Sequence, residues 1–83
     1  MKLVKYYANW CQPCRRFAPV VEKVSKEFNI PLESVNIEEH AIEGISSIPV
    51  MRLYDDNDTM IKENIGVMSP VQLRRWVSEE LPA

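Results

Sequence analysis

The chain has 83 residues, of which 46% are hydrophobic and 27% charged, and its net charge is −2. This length fits one small domain, residues 1–83, and the nearly balanced charge gives no electrostatic reason to expect binding to nucleic acid or to a membrane. The sequence has no apolar run near the roughly 20 residues that span a bilayer and no cleavable signal pattern, so we expect a cytoplasmic protein, and a monomer.

The first half of the chain predicts a strand, a helix and a second strand. Lys2–Ala8 is dense in β-branched and aromatic residues, which is typical of a strand buried on both faces. Asn29 and Pro31 end the helix that follows, and Pro19 inside it predicts a kink. Leu32–Glu38 is the second strand. The buried face of the helix is predicted from apolar residues three and four apart: Cys14, Phe17, Val21, Val24 and Phe28.

The second half predicts a hairpin preceded by a short irregular segment. His40–Ile45 has room for no more than a turn or two of helix. Ile48–Tyr54 is the third strand, and Thr59–Ile65 is the fourth, antiparallel to the third. Asp55–Asp58 forms the turn between them, because Asp and Asn tolerate the left-handed backbone conformation.

The last helix has the clearest start signal. Ser69 is a good N-cap, Pro70 suits the first helical position, and Gln72 completes a capping box. Met68 and Leu73 are placed for a hydrophobic staple. The predicted buried face of this helix is Leu73, Trp76, Val77 and Leu81. The order β-α-β-short α-β-β-α predicts an α/β fold with a four-stranded mixed sheet, its first two strands parallel with a right-handed crossover.

Both cysteines lie in "NWCQPC", just after the first strand and at the start of the first helix. Free N–H groups and a partial positive charge at a helix N-terminus stabilise a thiolate at Cys11. Cys14, one turn later, is within reach of the same sulfur and is expected to resolve a mixed disulfide. Pro13 stiffens the loop between them, and Arg15 and Arg16 add positive charge nearby.

The cysteine pair has two alternative uses. A structural disulfide is disfavoured, because it would close a very short loop in a reducing compartment. A zinc site needs four ligands, and one chain offers Cys11, Cys14 and His40, so this alternative requires a dimer. His40 has polar neighbours and is expected to be a surface residue.

Three motifs in this order, "WCQPC", "FAPVV" and "SIPV", resemble the thioredoxin family over nearly the whole chain. The resemblance implies a thioredoxin fold in a minimal form and a thiol–disulfide oxidoreductase that reduces protein disulfides. It implies no metal or organic cofactor beyond a redox-active Cys11–Cys14 disulfide. The expected partners are disulfide-containing proteins and, as electron donor, a thioredoxin-type reductase or glutathione.

The resemblance also implies a role for each site residue. Cys11 corresponds to the nucleophile and Cys14 to the resolving cysteine, and Trp10 to the tryptophan packed beside them. Pro49 corresponds to a proline whose preceding peptide bond is cis and which faces the disulfide. The backbone of Ile48 is expected to pair with an extended substrate segment. Gly66 and Val67 correspond to the loop on the third side of this groove.

The sequence departs from the family pattern at several positions. The N-terminal strand and helix of a full thioredoxin are missing, and Gln12–Pro13 replaces Gly-Pro between the cysteines. Lys5 stands where thioredoxins usually carry a buried aspartate, and Ser34 stands where they carry a lysine. A lysine in an apolar strand must extend to solvent, find an acidic partner or lose its proton. As a hypothesis, its ammonium lies under the cysteines and favours a thiolate.

Two alternatives to a thioredoxin-like reductase remain open. A glutaredoxin using glutathione would fit the size, but Ser47-Ile48-Pro49 and Ile65-Gly66-Val67-Met68 lack the glutathione-binding residues that resemblance to that family would require. A non-catalytic peptide-binding module would fit the groove. The presence of both cysteines argues against it.

Overall fold

The computed structural model describes residues 1–82, which form a four-stranded sheet and two helices. The strands lie in the order β2-β1-β3-β4, with β1 and β2 parallel and β3 antiparallel to both of its neighbours. This mixed sheet confirms the predicted fold class. In chain order the elements are β1 (Lys2–Tyr7), α1 (Gln12–Glu27), β2 (Leu32–Asn36), β3 (Val50–Tyr54), β4 (Met60–Ile65) and α2 (Pro70–Ser78).

Both helices cover the same face of the sheet. Their apolar residues and those of the two central strands form one buried cluster. This cluster excludes water from the interface between α1, α2 and the sheet. This cluster holds α1, the helix that follows Cys11 and contains Cys14, against β1. Its members with 1% exposure or less are Leu3, Phe17, Val21, Val24, Met51, Leu53, Leu73 and Val77.

The opposite face of the sheet is covered by the segment between β2 and β3. Val4, Tyr6 and Val50 are buried there, and Ile42 and Ile45 of that segment pack on them. Because β1 alternates between Val4 and Tyr6 on this face and Leu3 and Lys5 on the other, both faces of the strand are covered, as predicted. The segment thus covers this face of the sheet, as a helix does on the other face, although it is not helical.

The short helix expected over His40–Ile45 is wrong: these residues form bends and turns. The carbonyl of Asn36 accepts the N–H groups of Glu39 and His40, which curls the chain away from β2 at once. Gly44 then adopts φ 87°, a left-handed conformation that a right-handed helix cannot contain. Only one isolated turn survives, closed by the Ile45 N–H on the Ile42 carbonyl.

Three strand ends differ from the predicted bounds by one or two residues, and two of these differences have a local reason. β1 ends at Tyr7. β2 ends at Asn36, because its side-chain oxygen accepts the N–H of Glu38 at 2.9 Å and opens a turn there. β3 begins at Val50, since Pro49 has no N–H to donate to a neighbouring strand.

The turn between β3 and β4 is confirmed. One side-chain oxygen of Asp55 accepts the N–H groups of Asn57 at 2.8 Å and Thr59 at 3.0 Å, and Asp58 adopts φ 60°. Because Thr59 is occupied by this turn, β4 begins one residue later, at Met60.

The bounds of α1 follow its sequence signals. The helix ends at Glu27, and Asn29 adopts φ 54°, the left-handed conformation that stops a helix. Pro19 lies inside α1, as predicted. The kink expected there stays a prediction.

The start of α2 is a complete capping box, as predicted. The Ser69 hydroxyl accepts the N–H of Gln72 at 3.2 Å, and the Gln72 side chain accepts the N–H of Ser69 at 2.9 Å. Met68 packs against the buried cluster that contains Leu73, which supports the predicted staple. Trp76 is only half-buried.

We expect Ser69→Ala to lower the free energy of unfolding by about 1 kcal/mol, because it leaves an N–H at the start of α2 without its acceptor. Urea denaturation followed by circular dichroism measures this change. Ser46→Ala, at an exposed loop position, is the matched control and should change stability by less than about 0.5 kcal/mol. Equal effects of the two substitutions would contradict the capping assignment.

Candidate active site

Cys11 and Cys14 form a disulfide across the first turn of α1, with their Cα atoms 5.3 Å apart. Cys11 is the N-cap residue of the helix, and Pro13 lies in its first turn. The N–H of Cys14 donates to Cys11 Sγ at 3.3 Å. The sulfur of Cys11 therefore occupies the position where a helix N-terminus receives an acceptor or an anion.

The charges around this helix start favour a negative sulfur. The first turn of α1 contains no acidic residue. Arg15 and Arg16 follow Cys14 directly, and both side chains are exposed. Backbone dipoles and these cations act in the same direction, which is the setting that lowers the pKa of a cysteine thiol.

Both sulfurs are set in apolar surroundings. Cys11 is 5% exposed and Cys14 3%, and together with Ala8 they form a small buried cluster. The partly buried side chains of Tyr7, Ile37 and Ile48 pack against it. Ile37 comes from the turn after β2 and Ile48 from the segment before β3, so three parts of the chain enclose the disulfide.

Trp10 precedes Cys11 but is not part of this buried cluster. Its side chain is 67% exposed, which makes it the most exposed large apolar residue of the described chain. The resemblance to the family implied a tryptophan packed beside the cysteines. The structure places it next to them in the chain, with most of its ring surface open to solvent.

The other predicted groove residues lie on one segment and one loop. The Ile48–Pro49 peptide bond is cis, as the family pattern implied. The carbonyl of Pro49 accepts the N–H of Gly66 at 2.9 Å, which joins this segment to the loop after β4. Gly66 has φ 105°, a conformation that side chains rarely adopt, and Val67 beside it is 54% exposed.

Lys5 is 6% exposed and lies on the α1 side of β1. It lines one cavity together with Cys14, Glu22 and Ser34. Burial lowers the pKa of its ammonium, and the Glu22 carboxylate opposes this change. Within residues 1–82 the ammonium forms no ion pair, and it lies over the ring of Tyr7, with the ring centroid 5.5 Å away.

Two residues near the site were not found from the sequence. Glu38 accepts the N–H of Asn9 at 3.0 Å and so ties the loop before the cysteines to the turn after β2. No local sequence pattern predicts this contact, because Asn9 and Glu38 are 29 residues apart in the chain. Glu22 was detectable: it follows Cys14 and Ala18 at four-residue spacings, and such residues share a helix face.

A metal site would require several ligand side chains to lie close together in residues 1–82. Within that range no three His, Cys, Asp or Glu side chains gather where they could hold a metal ion. His40 is exposed, as predicted. Neither helix has the length and apolar character needed to cross a bilayer.

Comparisons with known proteins point to one family. The family model described as Thioredoxin matches residues 1–79. The chain is 32% identical to the thioredoxin of Buchnera aphidicola (Acyrthosiphon pisum strain), covering 95% of this chain and 78% of the relative. It is 29% identical to the thioredoxin of Pseudomonas aeruginosa, with the same coverage of both chains.

Solved structures agree with this result. The oxidised thioredoxin of Plasmodium falciparum superimposes with a TM-score of 0.79 at 27% identity, covering 93% of this chain and 77% of that one. Thioredoxin 1 of Thermosipho africanus gives a TM-score of 0.78 at 20% identity, over 95% of this chain and 97% of that one, and shares the fold.

Proposed function

The chain belongs to the thioredoxin family and is a thiol–disulfide oxidoreductase, and on that premise we propose that it reduces protein disulfides with Cys11 as nucleophile and Cys14 as resolving cysteine. One observation carries this assignment. Cys11 caps α1 and its sulfur receives the N–H of Cys14, whereas Cys14 lies deeper in the helix. The sulfur with the helix-terminal donor is the one whose thiolate is stabilised, and the thiolate is the attacking species.

The reaction passes through a mixed disulfide. The Cys11 thiolate attacks one sulfur of a substrate disulfide; that S–S bond breaks, and the other substrate sulfur leaves as a thiolate. Cys14 then attacks Cys11 Sγ, which releases the second substrate sulfur and forms the Cys11–Cys14 disulfide. Two electrons pass from the cysteine pair to the substrate, and a reductase must return them before the next cycle.

We assign the substrate site to the surface around the disulfide. Trp10, next to Cys11 in the chain, and Val67, in the loop after β4, offer exposed apolar area. Within residues 1–82 the backbone of Ile48 forms no backbone hydrogen bond, so its N–H and carbonyl are available to an extended peptide. Pro49 and Gly66 hold that segment and the neighbouring loop together. Binding by backbone pairing suits a protein that acts on many sequences.

Several finer assignments belong to the same proposal. Residues 1–83 work as a single, monomeric domain in the cytoplasm and need no cofactor besides their own disulfide. Pro13 stiffens the loop that joins the cysteines. Lys5 supports the active site from β1, where it lines the same cavity as Cys14. The electron donor is a thioredoxin-type reductase, since Ser47-Ile48-Pro49 and the residues around Gly66 provide no aspartate to bind the amine of glutathione.

A turnover assay with two electron donors tests this function. The purified chain is given an insulin disulfide substrate, first with a bacterial thioredoxin reductase and then with glutathione and glutathione reductase. We expect faster turnover with thioredoxin reductase. Turnover with glutathione alone would identify a glutaredoxin-like enzyme. Absence of turnover with either donor and with dithiothreitol, combined with peptide binding, would identify a binding module.

A further inference from the structure

A cavity of about 320 Å³ opens between α1 and the β1–β2 side of the sheet. Its volume lies at the lower end of the range of small-molecule sites, roughly 300–1,000 Å³. We propose that this cavity binds a short-chain monocarboxylate, whose carboxylate pairs with the buried ammonium of Lys5 and whose apolar end packs against Cys14 and Ala18. This ligand site goes beyond disulfide reduction, because the ligand is held without taking part in the thiol chemistry.

Lys5 supplies the buried charge of the cavity wall. It is 6% exposed, and the alternation of residues along β1 places it on the same face as Leu3, which belongs to the cluster packed under α1. Its partners in the sheet are Ser34 on β2 and Met51 on β3. Because one of these is a hydroxyl and the other is apolar, the neighbouring strands supply no carboxylate for the ammonium at the paired positions.

The ammonium of Lys5 has no acceptor in the protein. Within residues 1–82 it forms no ion pair and donates no hydrogen bond, and its contact with the ring of Tyr7 is weaker than a pair with an anion. Every fully enclosed side-chain nitrogen in this range has a hydrogen-bond partner, so the unpaired ammonium must reach open space. That space is the cavity that Lys5 lines. An anion there would compensate the buried charge.

The charged residues that line the cavity fit one negative charge. Lys5 and Arg15 contribute two positive charges and Glu22 one negative charge, which leaves a net charge of +1. Arg15 and Glu22 are exposed, so water screens their charges more than it screens the buried one. Burial lowers the pKa of Lys5, and the Glu22 carboxylate opposes this change. A monovalent anion beside Lys5 would neutralise the site.

The uncharged lining residues fit a carboxylate with a short alkyl chain. Asn9 has an amide and Ser34 a hydroxyl; both side chains are exposed, and both can donate a hydrogen bond to an oxygen. Donors in several places suit a ligand with two oxygens better than a single-atom anion. On the helix side Cys14 and Ala18, four residues apart, present a sulfur and a methyl group, which suit an alkyl chain.

A titration of the oxidised, ¹⁵N-labelled chain with sodium butyrate, followed by nuclear magnetic resonance at constant ionic strength, tests the site. We expect the backbone amide signals of Lys5, Ala18 and Ser34 to shift and saturate, with a dissociation constant in the millimolar range because so small a ligand makes few contacts. Butyramide has the same shape and no charge, and it should bind at least about tenfold more weakly. Equal responses to the two ligands, or butyrate shifts away from the cavity, would overturn the proposal.

Acetate tests the apolar wall, because it carries two methylenes fewer than butyrate. Each buried methylene strengthens binding up to about fourfold, so acetate should bind several-fold, and at most about fifteenfold, more weakly than butyrate. Equal affinities for acetate and butyrate would contradict the packing of an alkyl chain against Cys14 and Ala18. None of these titrations involves turnover, so their results are independent of the proposed reaction.

Lys5→Met and Lys23→Met distinguish the buried ammonium from positive charge in general. Lys23 is exposed on α1 outside the cavity, and the chemical change is the same. Lys5→Met should weaken butyrate binding at least about tenfold, whereas Lys23→Met should stay within about twofold of the wild type. Wild-type affinity in Lys5→Met would refute the site.

Glu22→Gln provides a second variant in case Lys5→Met does not fold. Its side chain is exposed, so the substitution should leave the fold intact while it removes the negative charge from the cavity wall. The net charge of the lining residues then rises from +1 to +2. We expect butyrate to bind about twofold or more tightly, and an unchanged or weaker affinity would count against an anion in this cavity.

Discussion

Replacement of Cys11 by serine is expected to abolish the reduction of protein disulfides, with a loss of at least roughly 1000-fold. A serine hydroxyl is not ionised near neutrality, so the attacking anion is lost even though the helix N-terminus that stabilised it remains. Cys14 does not replace it, because it lies one turn into α1 and lacks the helix-capping position that Cys11 holds. Insulin reduction by dithiothreitol, with and without the variant, measures the loss.

Cys14→Ser is the matched variant, since it makes the same chemical change at the other sulfur. It should also end turnover, but by a different route: Cys11 still attacks, and the mixed disulfide is not resolved. Mass spectrometry under non-reducing conditions should therefore detect a covalent adduct with Cys14→Ser and none with Cys11→Ser. The opposite distribution of adducts would show that the two roles are reversed.

The second large effect concerns the fold itself. Phe17→Ala should lower the free energy of unfolding by about 3–5 kcal/mol, because it removes a ring that is 1% exposed from the cluster joining α1, α2 and the sheet. Domains of this size have little stability in reserve, so such a loss is a large part of the total. Guanidinium denaturation followed by far-ultraviolet circular dichroism measures it.

Phe28→Ala provides the control for this substitution. Phe28 is the C-cap residue of the same helix and is only half-buried, so its removal leaves a smaller cavity and should cost clearly less. Because α1 contains Cys14 and is capped by Cys11, the activity of Phe17→Ala should fall in proportion to the fraction unfolded. Equal losses of stability for the two variants would mean that the core is not centred on Phe17.

The elements that were predicted well have signals contained in a few neighbouring residues. The capping box of Ser69 and Gln72 needs only residues three apart, and the turn begun by Asp55 is closed by its own side chain. The apolar spacing of α1 likewise identified its buried face. The helix expected over His40–Ile45 failed because the Asn36 carbonyl and the conformation of Gly44 outweigh a weak helical pattern there.

Spacings along the chain were enough to predict the order of the four strands and the two long helices, the place of the cysteine pair at a helix start and the family. It also singled out Lys5 as a charge in an apolar strand. The folded chain was needed to learn what Lys5 faces, that Glu38 accepts a hydrogen bond from the loop before the cysteines, and that Trp10 is open to solvent. Those facts depend on which distant residues the register of β1 and β2 and the packing of α1 bring together, and no local pattern encodes them.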